Sequence, residues 1–198
     1  QCRPESSPHG DVRRETSIMI PTSAVITAMM IWISTVTGLP IPSISPSIEY
    51  SDGRTMKLLL YGCDLPGESI HPEICKEIRN MDASSKIQNN TLGLYDHHNH
   101  RIFLNPSIKD MDSVVSDSIV VHELVHAMQF PAKVPYKCMG QLEELAYDTQ
   151  SLYLLSQGRK DIFIELDLSP LFLFITVTCN DGALGPPHMS YDVPHGTN

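Results

Sequence analysis

Residues 118–130 read SIVVHELVHAMQF, and how this stretch is read decides the rest of the fold. It is either a metal-binding helix or an ordinary buried helix with three polar residues. His122 and His126 are four apart, and Glu123 directly follows the first histidine. In an α-helix, residues four apart lie one above the other on one face. Both imidazoles can therefore be aimed at a single ion. Glu123 is turned about 100° from His122 and lies beside the pair, within reach of a water on that ion. Neutral imidazole nitrogens suit Zn2+, and a carboxylate in a dry site is a strengthened base. The expected cofactor is Zn2+, held by His122 and His126. Glu123 is the expected general base, taking a proton from water and passing it to a leaving amine.

The neighbouring residues weigh against a chance motif. Ile119, Val120, Val121, Leu124, Val125, Ala127 and Met128 make the helix apolar nearly all round, which predicts burial. A polar group buried there without a partner costs about 1–3 kcal/mol, and a charge costs more. One metal and its water would satisfy all three polar side chains together.

Pro131 stops this helix, and PAKVPYKCM leads to a second one over 140 to about 157, with Gly158 as its stop. An antiparallel return through 131–139 brings the first turns of the second helix near His126. That helix carries QLEELAYDTQSLYLL, and the metal's third ligand should be an Asp, Glu or His. Glu143 shares a face with Ala146, Gln150 and Tyr153, next to a core stripe expected at Leu142, Leu145, Thr149 and Leu152. Glu143 is the expected ligand. Glu144, about 100° further round, is the alternative.

Upstream, TLGLYDHHNHRIFLNP over 91–106 reads as a β-hairpin, with its turn at 96–100 and its second strand at Arg101–Leu104. His97, His98 and His100 could converge on a metal, but the expected reading is an exposed turn. A helix from Pro21 to Gly38, with apolar positions at Val25, Met29, Trp32, Ile33 and Val36, is read as a domain helix rather than a cleaved signal. No continuous apolar run of about 18 residues predicts a membrane span. Proline-rich 40–53 reads as an extended connection, 55–61 as a short strand or one helical turn, and 72–81 as a short helix. IFIELDLSP and LFLFITVTC read as two strands. A flexible tail over 1–17, a single domain over 18–180 and an irregular tail over 181–198 complete the division.

The chain has 198 residues, is 41% hydrophobic and carries a net charge of −9 without a Lys/Arg-rich block. Nucleic acid and anionic membranes are excluded as partners, since both need a basic footprint. The five cysteines are scattered without CxxC spacing. They read mainly as small buried hydrophobes, with one disulfide open to an exported protein. A cytoplasmic location is slightly favoured, and a secreted or periplasmic one is open if the native N-terminus carries a signal.

HELVH at 122–126, followed by EELA at 143–146, resembles the gluzincin class of zincin metallopeptidases. In that class a glutamate on a second helix completes the zinc site, with a small residue three positions later, and Glu143 with Ala146 matches. The separation is shorter than in the larger gluzincins and closer to minimal single-domain versions and small, uncharacterised bacterial zincin-like proteins. The resemblance implies an α+β, zincin-like fold with a small hairpin or sheet packed on the HExxH helix and an antiparallel glutamate-bearing helix. It implies zinc-dependent cleavage of a peptide or protein substrate. A strand bordering the cleft is placed at Arg101–Leu104, and the oxyanion-stabilising group is drawn from Tyr147, Tyr153, His188, Tyr191 and His195. The alternative keeps the zinc without catalysis, as a zinc-stabilised binding or structural domain.

Overall fold

The computed structural model describes residues 21–63, 72–80 and 91–179. Both expected tails and the connector over 84–90 lie outside these residues. The described elements are α1 (Ser23–Thr37), β1 (Ser47–Tyr50), α2 (Gly53–Leu60), α3 (Pro72–Asn80), β2 (Gly93–Asp96), β3 (Arg101–Leu104), a 3-10 turn (Pro106–Asp110), α4 (Ser113–Gln129), α5 (Met139–Ser156), α6 (Ile162–Glu165) and α7 (Pro170–Val177). This is an α+β fold in which α4 packs against α5, α1 and the sheet.

α4 starts where the Asp112 side chain accepts the Val114 N–H, satisfying a donor that the helix itself leaves open. Every residue from Ser118 to Gln129 is buried, as a helix without a polar face requires. Val121, Leu124, Val125 and Met128 are fully enclosed, and each such side chain contributes about 1.5–3 kcal/mol by leaving water. α1 covers one flank. It ends at Gly38 with φ 76°, a left-handed stop that suits glycine. Its buried stripe is Ile26, Met29, Met30 and Ile33. Val25 and Val36 are exposed, so the face is turned by about one residue from the sequence reading.

The partners between α4 and α5 fix their direction. Gln129 bonds the Leu142 carbonyl, His126 and His122 meet Glu143, and His122 and Ser118 both meet Gln150. Descending numbers on α4 match ascending numbers on α5, so the two helices are antiparallel. Leu142, Ala146, Thr149 and Leu154 are buried on α5. Leu152, expected in the core, is exposed.

The sheet has the order β1-β3-β2. β2 and β3 form the expected antiparallel hairpin, with Tyr95 opposite Ile102. β1 pairs with β3 in parallel, Ile48 opposite Ile102. Ile48, Ile102 and Tyr95 thus line up across one face, and all three are buried. The 40–53 segment is therefore not merely a connection, because its end supplies an edge strand after Pro46. An edge position before the first ladder bond is where proline is tolerated.

The two strands expected near the C-terminal end are helices. Asp161 and Ser169 cap α6 and α7 by accepting from Ile164 N–H and Leu171 N–H, and Pro170 occupies the first turn of α7. Short apolar runs do not distinguish strand from helix by period, whereas these caps do. The cysteine reading is also corrected. Cys63 bonds Cys75, with Cα atoms 5.5 Å apart, and Cys138 bonds Cys179, at 5.6 Å. Both spacings fall in the ordinary disulfide range. The first bridge joins the end of α2 to α3, and the second joins the residue before α5 to the end of α7. Among the described residues, no helix is long and apolar enough to cross a membrane.

Candidate metal centre

His122 and His126 project from the middle of α4 toward the first turns of α5, where Glu143 meets both. His122 Nε2 lies 3.3 Å from Glu143 Oε2, and His126 Nε2 lies 3.4 Å from Oε1. Ligand atoms on a tetrahedron with about 2.0–2.1 Å bonds are separated by about 3.3–3.4 Å. Each histidine nitrogen is at that spacing from its own oxygen of the Glu143 carboxylate, close enough for one metal ion to reach all three side chains. One ligand atom from each of the three residues falls within 4.8 Å of the others, the one such cluster among the described residues. Glu144 is exposed and stands outside it.

The other ring nitrogens are also engaged. His122 Nδ1 is 3.2 Å from Gln150 Oε1, and His126 Nδ1 is 2.9 Å from Gln129 Oε1. Burial alone would lower the His126 pKa, but the Glu143 carboxylate outweighs it and lifts the value to about 9. Burial alone would raise the Glu143 pKa, yet His126 and His122 hold it well below the usual carboxylate range. These side chains form an ion pair between α4 and α5, at a place where a cation could stand in for the imidazole proton.

Glu123 lies beside the cluster without joining it. Burial first, and Glu143 in addition, push its carboxyl upward, against His122, His126 and a main-chain hydrogen bond from Tyr95. Its position is held by the sheet. A Cβ added to Gly93 would stand 2.5 Å from Glu123 Oε1 and 2.7 Å from its Cγ, so only glycine lets β2 come this close. Gly93→Ala should therefore lower stability by about 1–3 kcal/mol, the usual cost of overpacking, while leaving the three candidate ligands in place. Urea unfolding and zinc content check this; an unchanged urea midpoint would mean that Glu123 has room to move.

Tyr147 is the oxyanion candidate beside the cluster. Its ring meets the His122 ring edge-on at 4.5 Å, and burial, with Glu143 and Glu123 adding to it, pushes its hydroxyl pKa well up. Tyr153 instead packs edge-on against Trp32 at 5.5 Å. His188, Tyr191 and His195 lie outside the described residues.

The strand placed beside the cleft from sequence is corrected. β3 is the middle strand and both its edges are hydrogen-bonded, so it has no edge left for a peptide. Among the described residues β2 is the outer strand, and its outer edge lies against Glu123, which Gly93 touches and to which the Tyr95 main chain donates a hydrogen bond. Among the described residues the histidine turn makes no metal cluster. Asp96 caps it through His98 N–H and Asn99 N–H, and His100 joins the Tyr95 hydroxyl to the Ile44 carbonyl. A separate groove of about 430 Å³ lies over the outer face of the sheet, lined in part by Glu49, Asp96, Arg101 and Phe103. No residue of the metal cluster lines it.

Three contributors escaped the sequence reading: Gln129, Gln150 and Gly93. Gln129 stands three residues after His126, and Gln150 stands seven after Glu143. Helical spacing put both on the right faces. Gly93 had no local signal, because its partner is distant in sequence.

Fold and site together define an α+β protein whose HExxH helix and neighbouring glutamate-bearing helix can coordinate a metal ion. The chain belongs to the family described as Domain of unknown function (DUF6647), which matches residues 64–186. No curated protein and no solved structure matches it.

Proposed function

We propose that this protein is a zinc-dependent peptidase in which His122, His126 and Glu143 hold the metal and Glu123 is the general base. The observation that carries this reading is the convergence of His122, His126 and Glu143, each histidine within 3.4 Å of a Glu143 oxygen, beside a second carboxylate, Glu123. When bound, zinc supplies Lewis acidity toward a peptide carbonyl and makes a water easier to deprotonate. Glu123 takes that water's proton and delivers it to the leaving nitrogen, and its burial strengthens it as a base. Tyr147 donates its hydroxyl to the developing negative oxygen, since its raised pKa keeps the proton on it. An extended peptide lies along β2, the strand that touches Glu123, with its scissile bond beside that carboxylate. Two disulfides favour an oxidising compartment, secreted or periplasmic, over the cytoplasm.

Burial of His122, Glu123 and His126, at 8%, 5% and 6% exposure, is the observation that favours a second reading, a zinc-stabilised domain without catalysis. One experiment separates the two. Protein purified without added metal is assayed for zinc and incubated with a diverse peptide library read by mass spectrometry. The peptidase reading expects about one zinc per chain and cleavage that a chelator stops and zinc restores. Zinc without cleavage of any peptide supports the structural domain, and absence of zinc sinks both.

A further inference from the structure

We infer that Gln129 and Gln150 are positioning residues of the metal centre, each closing a one-way hydrogen-bond relay that turns a histidine Nε2 lone pair toward the metal. The inference rests on the zinc-site reading above and concerns how the protein prepares its two imidazoles. Both relays end on main-chain carbonyls, which can only accept, and this fixes every proton before them. On the first, the Ser118 hydroxyl donates to the Val115 carbonyl at 2.7 Å. With its proton so committed, Ser118 Oγ accepts from Gln150 Nε2 at 3.2 Å. The amide is thereby oriented with Oε1 facing His122 Nδ1 at 3.2 Å. Since Oε1 cannot donate, the proton must sit on Nδ1.

The second relay is shorter. Gln129 Nε2 donates to the Leu142 carbonyl at 3.1 Å, and its Oε1 faces His126 Nδ1 at 2.9 Å. Leu142 directly precedes Glu143, so this one amide holds both a histidine and the main chain beside the third ligand. Ser118, Gln129 and Gln150 are 0%, 1% and 2% exposed. No solvent water can replace a missing acceptor there, and leaving an Nδ1–H unpaired is costly.

The chemistry of the acceptors has its own consequence. Histidine ligands are often oriented by carboxylates, which make the imidazole more basic. Here both acceptors are neutral amides. With two neutral imidazoles and one carboxylate, a divalent cation keeps a net charge of +1, which favours polarisation of a substrate carbonyl over tightness of metal binding.

The test uses the full chain. Zinc affinity is measured by competition with a chelator for the wild type, Gln129→Met, Gln150→Met and Gln150→Glu. Methionine fills similar space without an acceptor, so each Met variant should bind zinc about 10–100-fold more weakly while keeping wild-type circular dichroism. Gln150→Glu should bind within a few-fold of wild type or tighter, because a carboxylate accepts from Nδ1 in place of the amide oxygen. Met variants within about twofold of wild type would reduce the glutamines to space-fillers and overturn the inference. Should a Met variant fail to fold, nitrogen-15 spectra of the zinc-loaded wild type decide: a proton on Nδ1 of both histidines is required, and zinc on Nδ1 of either one overturns it. A wild-type chain that binds no zinc overturns the metal reading itself, a different result from affinity that the Met variants share.

Discussion

Glu123→Gln protein should purify with its zinc and fail to cleave peptides. The substitution keeps the size of the side chain and its fit beneath Gly93. It leaves the three residues of the metal cluster untouched, so metal content should equal that of the wild type. An amide cannot accept the proton of the attacking water, and general-base catalysis is worth about 10²- to 10⁴-fold. The rate of hydrolysis at saturating peptide should fall by that amount, with elemental analysis still reporting about one zinc per chain. Loss of zinc would make Glu123 a ligand instead. Unchanged cleavage would remove it from the chemistry.

The second large effect separates two adjacent glutamates. Glu143→Ala should abolish zinc binding in equilibrium dialysis, lowering affinity by more than the roughly 10–100-fold that follows loss of an outer partner. It removes the one carboxylate that faces both imidazoles, at 3.3 and 3.4 Å. Glu144→Ala removes an exposed side chain, and its affinity should match the wild type, with stability shifting by no more than about 0.5 kcal/mol. If the two variants behave alike, the geometry of the cluster has been misread.

These expectations draw on residues whose roles were legible to different degrees. The helix over 113–129 and its antiparallel partner could be read because their signals are local: a run of apolar residues, Pro131, Gly158 and the spacing of His122 from His126. The hairpin was legible for the same reason. β1 was not, because its parallel pairing with β3 joins Ile48 to Ile102, and no local pattern encodes a partner so far away. That missing strand also changed the role of its neighbour. Without β1, Arg101–Leu104 reads as an edge beside the cleft; with it, the strand is enclosed on both sides. The α6 and α7 segments read as strands because short, mainly apolar runs carry no clear period, and the local signal for helix lies in their caps, Asp161 and Ser169. The disulfides failed on the same ground as β1, since only the fold brings Cys138 within reach of Cys179. At the site, side-chain type announced the candidate ligands, while neutral Gln129 and Gln150 carried no such mark.

All three candidate ligands lie on the two helices α4 and α5, whereas Glu123 is held from outside that pair, by Gly93 on the sheet. The loop between the helices is short, and the entropy of closing a loop grows only slowly with its length. Assembly of the ligands thus demands little long-range ordering of the chain. The position of Glu123 demands the distant strand as well. On the proposed function, metal capture and proton transfer would have different conformational requirements: local opening of the sheet would unseat the base first and leave the helical hairpin with its three candidate ligands together.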